Sequence, residues 1–303
     1  MTPAETPAQA VADAPEAEAP PQTRSAVVRA FAVFNANKTS WVGVVIFGAI
    51  VLMAVLAPLL SSYDPIDQDI IARLQPPSAE HWFGTDMFGR DVLSRLIWGA
   101  QISLIVSVAS IAMAVVIGGA IGLISGYVGG RVDMLIMQVM DVLLSFPSLI
   151  MGLIVVAMLG PDLINLIIAI ALTAVAPFAR IARAPTITLK ERAFVEAGKA
   201  LGFSHVRIIV VHILPNLLSE ILVMGSLWMA TAVRTEASLS FIGLGVKPPT
   251  PTWGGMIRDG FENILDAPWL SIYPGLAILI LVFALNMLGD GLRDATDPKL
   301  RGE

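Results

Sequence analysis

ISLIVSVASIAMAVVIGGAIGLI, residues 102–124, carries no charged side chain. At ~1.5 Å of rise per residue, a helix of this length crosses the roughly 30 Å of a bilayer's hydrocarbon core. A barrel strand would need only about 10 residues and would alternate in polarity, so the run reads as a membrane-spanning helix. Five further windows of the same character lie near 41–60, 134–159, 161–179, 217–238 and 269–289. The sequence therefore predicts an all-α membrane protein with six transmembrane helices.

Composition agrees with this. Hydrophobic residues make up 56% of the 303 and charged ones 14%, with mean hydropathy +0.77, far from the balance of a soluble globule. Zero cysteines exclude disulfides and thiol chemistry, and three scattered histidines (His81, His205, His212) make a protein-built metal site improbable. A net charge of -5, with much of the acid in the N-terminal tail, argues against nucleic acid as a partner. Four segments follow: 1–38, an Ala/Pro/Glu-rich tail expected to be disordered and without a signal-peptide pattern; 39–101, the first span and an outer loop; 102–290, the core; and 291–303, a C-terminal tail.

Basic residues set the expected orientation. Of 19 Lys and Arg, only Arg73, Arg90, Arg95, Arg234, Lys247 and Arg258 fall on the other side if both termini are cytoplasmic. Two long outer segments, 61–101 and 240–268, hold Trp82, Trp98 and Trp253, read as interface anchors or as parts of structured elements. Gly126, Gly129 and Gly130 are expected to form a tight cytoplasmic turn, and the Gly84 to Arg95 stretch a turn leading into a short charged helix.

One polar island, 180–216, lies between the fourth and fifth spans. Arg192, Glu196 and Lys199 are spaced to share a helix face and pair. Gly202 suits a turn, and Pro215 is expected to stop or redirect the chain before the next span. A helix-turn-helix across the cytoplasmic mouth is predicted. Its Gly-Lys lacks the earlier glycine and the Ser/Thr of a P-loop, so the chain is not expected to bind ATP.

The island reads Glu196-Ala197-Gly198, three residues, Gly202, nine residues, His212-Ile213-Leu214-Pro215. This resembles the EAA loop of ABC importer permeases, with Gly198 where that family commonly has Ala and His212 where it commonly has Ile. HWFGTDMFGRDVLSRLIWGAQISL from His81, SGYVGGRVD from Ser125, EASLSFIGLGVKPPTPTWGGMI from Glu236 and NMLGDGLRDATDP from Asn286 look like blocks of the second permease subunit of dipeptide and oligopeptide importers. Met137-Gln138 departs from the Met-Arg often found there.

The resemblance implies a type I ABC importer permease fold in a bacterial or archaeal cytoplasmic membrane. It also implies a coupling helix whose docking positions are Glu196, Ala197, Gly198, Gly202, Leu214 and Pro215. Partners would be a similar second permease, two ATP-binding subunits that hold ATP and Mg²⁺, and an extracytoplasmic solute-binding protein.

Charges inside spans invite a role. Asp141 is read as pairing with Arg180 or Arg183 or as lining a pathway, and Glu236 as a weaker pathway candidate beside a snorkelling Arg234. The rival readings are an ion-gradient-driven secondary transporter and a non-transporting membrane scaffold.

Overall fold

The computed structural model describes residues 38–296. The expected N-terminal tail, except Lys38, lies outside the described residues. So does 297–303 of the expected C-terminal tail, whose first part is helical. The helices are α1 (Lys38–Val55), α2 (Val92–Val128), α3 (Gly130–Ser145), α4 (Ser148–Leu159), α5 (Leu163–Leu189), α6 (Ala193–Ala200), α7 (His205–Phe241), α8 (Trp253–Phe261) and α9 (Trp269–Thr296). Among the described residues the extended structure noted is an isolated bridge between Thr85 and Asp91.

Helices α1, α2, α5, α7 and α9 are each long and apolar enough to cross a membrane. The pair α3 and α4 is apolar enough when taken together but is bent by 90°, so it is either a broken sixth span or a re-entrant loop. Phe146-Pro147 makes the elbow: a residue before proline is pushed out of the helical region, and Phe146 sits at φ -85°, ψ 131°. Phe146, Leu149 and Ile150 around it are exposed.

Several helices outrun their hydropathy windows. α2 begins ten residues before its window, at Val92, because Asp91 caps it by accepting from Ser94 N–H (2.7 Å). The short charged helix expected there is instead a loop followed by the first turn of α2. α5 continues past Ala179 to Leu189, with Pro177 and Pro185 inside it, so Arg180 and Arg183 stand on a helix rather than in a loop.

The closest packing joins α2 to α5. Gly118, Gly122 and Gly126 recur every fourth residue on one face of α2. A Cβ on Gly118 or Gly122 would overlap the carbonyl oxygen of Val175 or Ala179, and one on Gly126 would sit 2.9 Å from that of Arg183. Gly126 is thus a helix-packing residue, and the turn between α2 and α3 is made by Gly129 and Gly130 at φ 71° and 59°. Small residues let backbones touch, which matters in lipid, where apolar surface alone gives helices no reason to associate. A similar contact seats α1 on α9, since a Cβ on Gly43 would lie 2.8 Å from Met287 Cβ.

At the end of the bundle away from 190–204, the segments 61–91 and 242–268 pack on one another. Asp86 accepts from Arg90 Nε (2.6 Å) and lies 3.5 Å from Arg95 Nε, while Arg95 Nη1 donates to the carbonyls of Pro65 (2.8 Å) and Pro249 (3.4 Å). Trp253 is fully buried and donates to the Leu96 carbonyl (2.9 Å), so it ties α8 to α2 and is no interface anchor. Trp82, 69% exposed, is free to act as one.

Gly122→Leu is expected to cost about 1–3 kcal/mol through overpacking and to lower the thermal midpoint of the detergent-purified protein. Gly119→Ala, whose Cβ would meet nothing nearer than Ile221 Cδ1 at 3.7 Å, should leave the midpoint unchanged.

Candidate functional site

The segment between α5 and α7 leaves the bundle as a hairpin. Lys190 closes α5. Arg192, extended at φ -75°, ψ 145°, is the N-cap of α6. An extended residue does not share the helical face of Glu196, and neither Arg192 nor Lys199 forms the predicted ion pair with it; among the described residues Glu196 makes no ion pair at all.

α6 ends in a Schellman motif. Phe203 N–H donates to the Gly198 carbonyl and Gly202 N–H to that of Lys199, both at 3.0 Å, with Gly202 at φ 76°. Gly202 is there for its left-handed backbone, since a Cβ would meet nothing within 4 Å. Gly198 is buried, because the Phe203 ring folds back over it; a Cβ there would lie 3.1 Å from Phe203 Cδ2. Ser204 then caps α7 by accepting from Arg207 N–H (3.3 Å).

Three contacts fasten the hairpin to the spans. Val195 is fully buried in the core cluster that also holds Ile208, Ile213 and Leu217. The Phe203 ring lies parallel to His212 at 5.7 Å, with the Arg207 guanidinium 4.2 Å from its centre. Tyr127, on the last turn of α2, hydrogen-bonds His205 Nδ1 (2.7 Å).

Pro215 does not end or redirect the chain. The preceding stretch Ile208–Ile213 is π-helical, with Leu214 N–H reaching back to the Ile209 carbonyl, and Asn216 Nδ2 donates to the His212 carbonyl (2.7 Å). The wide turn absorbs the missing proline donor, and α7 runs on. Of the positions singled out in the sequence, Glu196, Ala197, Gly202 and Pro215 are exposed, Gly198 is buried under Phe203, and Leu214 packs against the core. Phe194 and Leu201, the latter 74% exposed, stand with Ala197 at i, i+3 and i+7 on α6. The sequence already marks Ala197 and Leu201 as small or apolar positions that let a second surface approach closely; Phe194 is the member of the stripe it did not single out.

Both acidic candidates have partners. Asp141 on α3 forms an ion pair with Arg180 on α5, and the two side chains are 58% and 53% exposed. Arg183 turns instead to Asp133, which accepts from its Nε and Nη2 (2.6 Å each) and from Ser125 Oγ (2.5 Å). Glu236 is fully enclosed between α2 and α7, accepting from Ser240 Oγ (2.7 Å) and Ser103 Oγ (3.4 Å). Glu236 is therefore closed off from the surface of this chain. Arg234 is exposed, with Nη2 on Thr231 Oγ1 (3.0 Å).

Residues 118–302, more than half of the chain, match the family model of the binding-protein-dependent transport system inner membrane component. The chain belongs to that family. This permease also matches, over 25–77, the N-terminal TM domain of oligopeptide transport permease C. It is 45% identical over 272 residues to the dipeptide transport system permease protein DppC of Alkalihalophilus pseudofirmus, covering 90% of each chain. To the oligopeptide transport system permease protein OppC of Bacillus subtilis it is 42% identical over 268 residues, 88% of each. To the glutathione transport system permease protein GsiD of Escherichia coli the figure is 41% over 256 residues, 84% of each.

The permease's fold is similar to that of a chain in an inward-facing MetNI methionine ABC transporter, with TM-score 0.55 and 18% identity, over 67% of this chain and 97% of that one. It is the type I importer permease fold, and the protein is a multi-pass inner-membrane transport component.

Gly202→Ala is expected to cost about 1–2 kcal/mol, the usual strain of a left-handed non-glycine residue. Gly198→Ala should be nearly neutral, since the Phe203 ring need yield only slightly. Thermal unfolding of the two purified variants separates them.

Proposed function

We propose that this permease forms half of the translocation path of an ATP-driven importer of dipeptides, oligopeptides or a related small solute. A similar, non-identical permease supplies the other half. Two ATP-binding subunits hold ATP and Mg²⁺, and an extracytoplasmic binding protein delivers the solute. Both termini and the α6 hairpin face the cytoplasm, in keeping with the distribution of Lys and Arg.

The observation that carries the coupling role is the exposed stripe Phe194, Ala197 and Leu201, with Glu196 beside it, on a helix that stands outside the bundle yet is fixed to it through Val195 and Phe203. A short helix with apolar anchors at i, i+3 and i+7 suits a groove on a partner. The same fastenings let a push on α6 reach α7 directly and α2 through Tyr127 and His205.

The half-exposed pair Asp141 and Arg180 supports a path along the α3 and α5 face. Charged side chains facing lipid are costly, so that face is read as meeting water or a second subunit. The nearby elbow at Phe146-Pro147 agrees, because interrupted backbone is tolerated at membrane depth only under protein or beside water. The secondary-transporter and scaffold readings gain nothing from the family or the fold.

Uptake of a labelled dipeptide into proteoliposomes holding the whole complex tests the coupling role. Glu196→Lys and Leu201→Asp should assemble in the membrane but lose most uptake and binding-protein-stimulated ATP hydrolysis; undiminished uptake would remove α6 from the docking role. The path is tested with single cysteines, for which the cysteine-free chain is ready-made. Asp141→Cys should react with a membrane-impermeant thiol reagent and be protected by solute, while Glu236→Cys should stay unreactive.

A further inference from the structure

Where the last turn of α2, the end of α5 and the hairpin meet, a pocket of about 480 Å³ is lined by Tyr127, Val128, Lys190, Lys199, His205 and Ile209. None of these is a carboxylate. Lys190 gives one of its three N–H groups to the Gly126 carbonyl (2.9 Å), which leaves two. Lys199 makes no side-chain hydrogen bond or ion pair among the described residues. Tyr127 Oη holds His205 through Nδ1 at the same wall. The carboxylate that acts on Lys190, Asp133, is already engaged by Arg183 and Ser125. The cations are thus preassembled with N–H groups to spare and, among the described residues, no anion to fill them.

The rest of the lining is apolar, and the surface next to it is too: Val128, Val132, Val206 and Val210 are all exposed. Lysines beside exposed aliphatic surface at the end of a set of spans are what a headgroup with its acyl chains requires. A free anion would satisfy the lysines and leave the valines bare to water.

We propose that this pocket holds the phosphate of an anionic phospholipid, wedged between the end of the bundle and the hairpin. The inference rests on the importer reading for placing this end at the cytoplasmic leaflet and for giving the hairpin its partner. A lipid there touches Lys199 on α6 and Lys190 at the end of α5 at once, and so makes the seating of the coupling element depend on the surrounding membrane.

The test uses the whole complex, wild type or carrying Lys190→Gln with Lys199→Gln, reconstituted in phosphatidylcholine alone or mixed with phosphatidylglycerol. It is then extracted and its retained phosphatidylglycerol counted by native mass spectrometry. Retention should fall about fivefold for each lysine charge removed and return with Lys190→Arg and Lys199→Arg. Excess inorganic phosphate should not displace the lipid.

Equal retention in the glutamine variant would overturn the proposal. Displacement by inorganic phosphate would make the pocket a free-anion site instead. Loss of the ATPase subunit together with the lysines would make that subunit's own acidic side chain the occupant. A wild-type chain that co-purifies with no ATPase would sink the importer reading, while lipid retention would still be read on the same sample.

Discussion

The backbone contact between α2 and α5 governs the arrangement of the end of the bundle from which the hairpin departs. Because Gly118, Gly122 and Gly126 carry no side chains, the two helices meet at the level of their carbonyls from Val175 to Arg183. That approach places Arg183 against Asp133 and Lys190 against the last turn of α2, so two polar clasps form where the glycine seam ends. The hairpin departs from this point. Its position is set by the seam as much as by its own residues.

Charge is handled differently at the two ends. At the end away from the hairpin, Asp86, Arg90 and Arg95 are buried together with backbone carbonyls from Pro65 and Pro249, and they hold two sequence-distant segments as one layer. Truncating one member of such a network leaves its partners desolvated and unpaired, the costly case for buried ions. On α3 and α5 the pair Asp141 and Arg180 stays half-exposed. The first arrangement fixes a shape, whereas the second leaves charge at the surface of the chain.

The architecture was largely legible in the sequence, because a spanning helix must be long, apolar and closed in its own hydrogen bonds. All six windows fall on helices, and the third is broken at Phe146-Pro147. Helix ends were less legible. Arg180 and Arg183 lower hydropathy as if they began a loop, yet each is neutralised by an aspartate on α3, a pairing no window can see.

The glycine seam was hidden for the opposite reason, since three glycines within an apolar run change hydropathy little. At the hairpin the spacing of Glu196, Gly198 and Gly202 located the element, but not the division of labour within it. Gly202 serves the backbone, Gly198 serves Phe203, and Glu196 and Ala197 present side chains outward beside Phe194 and Leu201. Leu214 and Pro215 belong to α7, where a π-helical stretch keeps the helix continuous.

The bend between α3 and α4 bears on what this chain exposes to lipid. α4 has 12 residues, about 18 Å of helix, too little to cross alone. The backbone around Phe146-Pro147 must therefore be covered by another protein surface or by water. A solitary copy in the bilayer offers lipid an interrupted helix and a pair of charges.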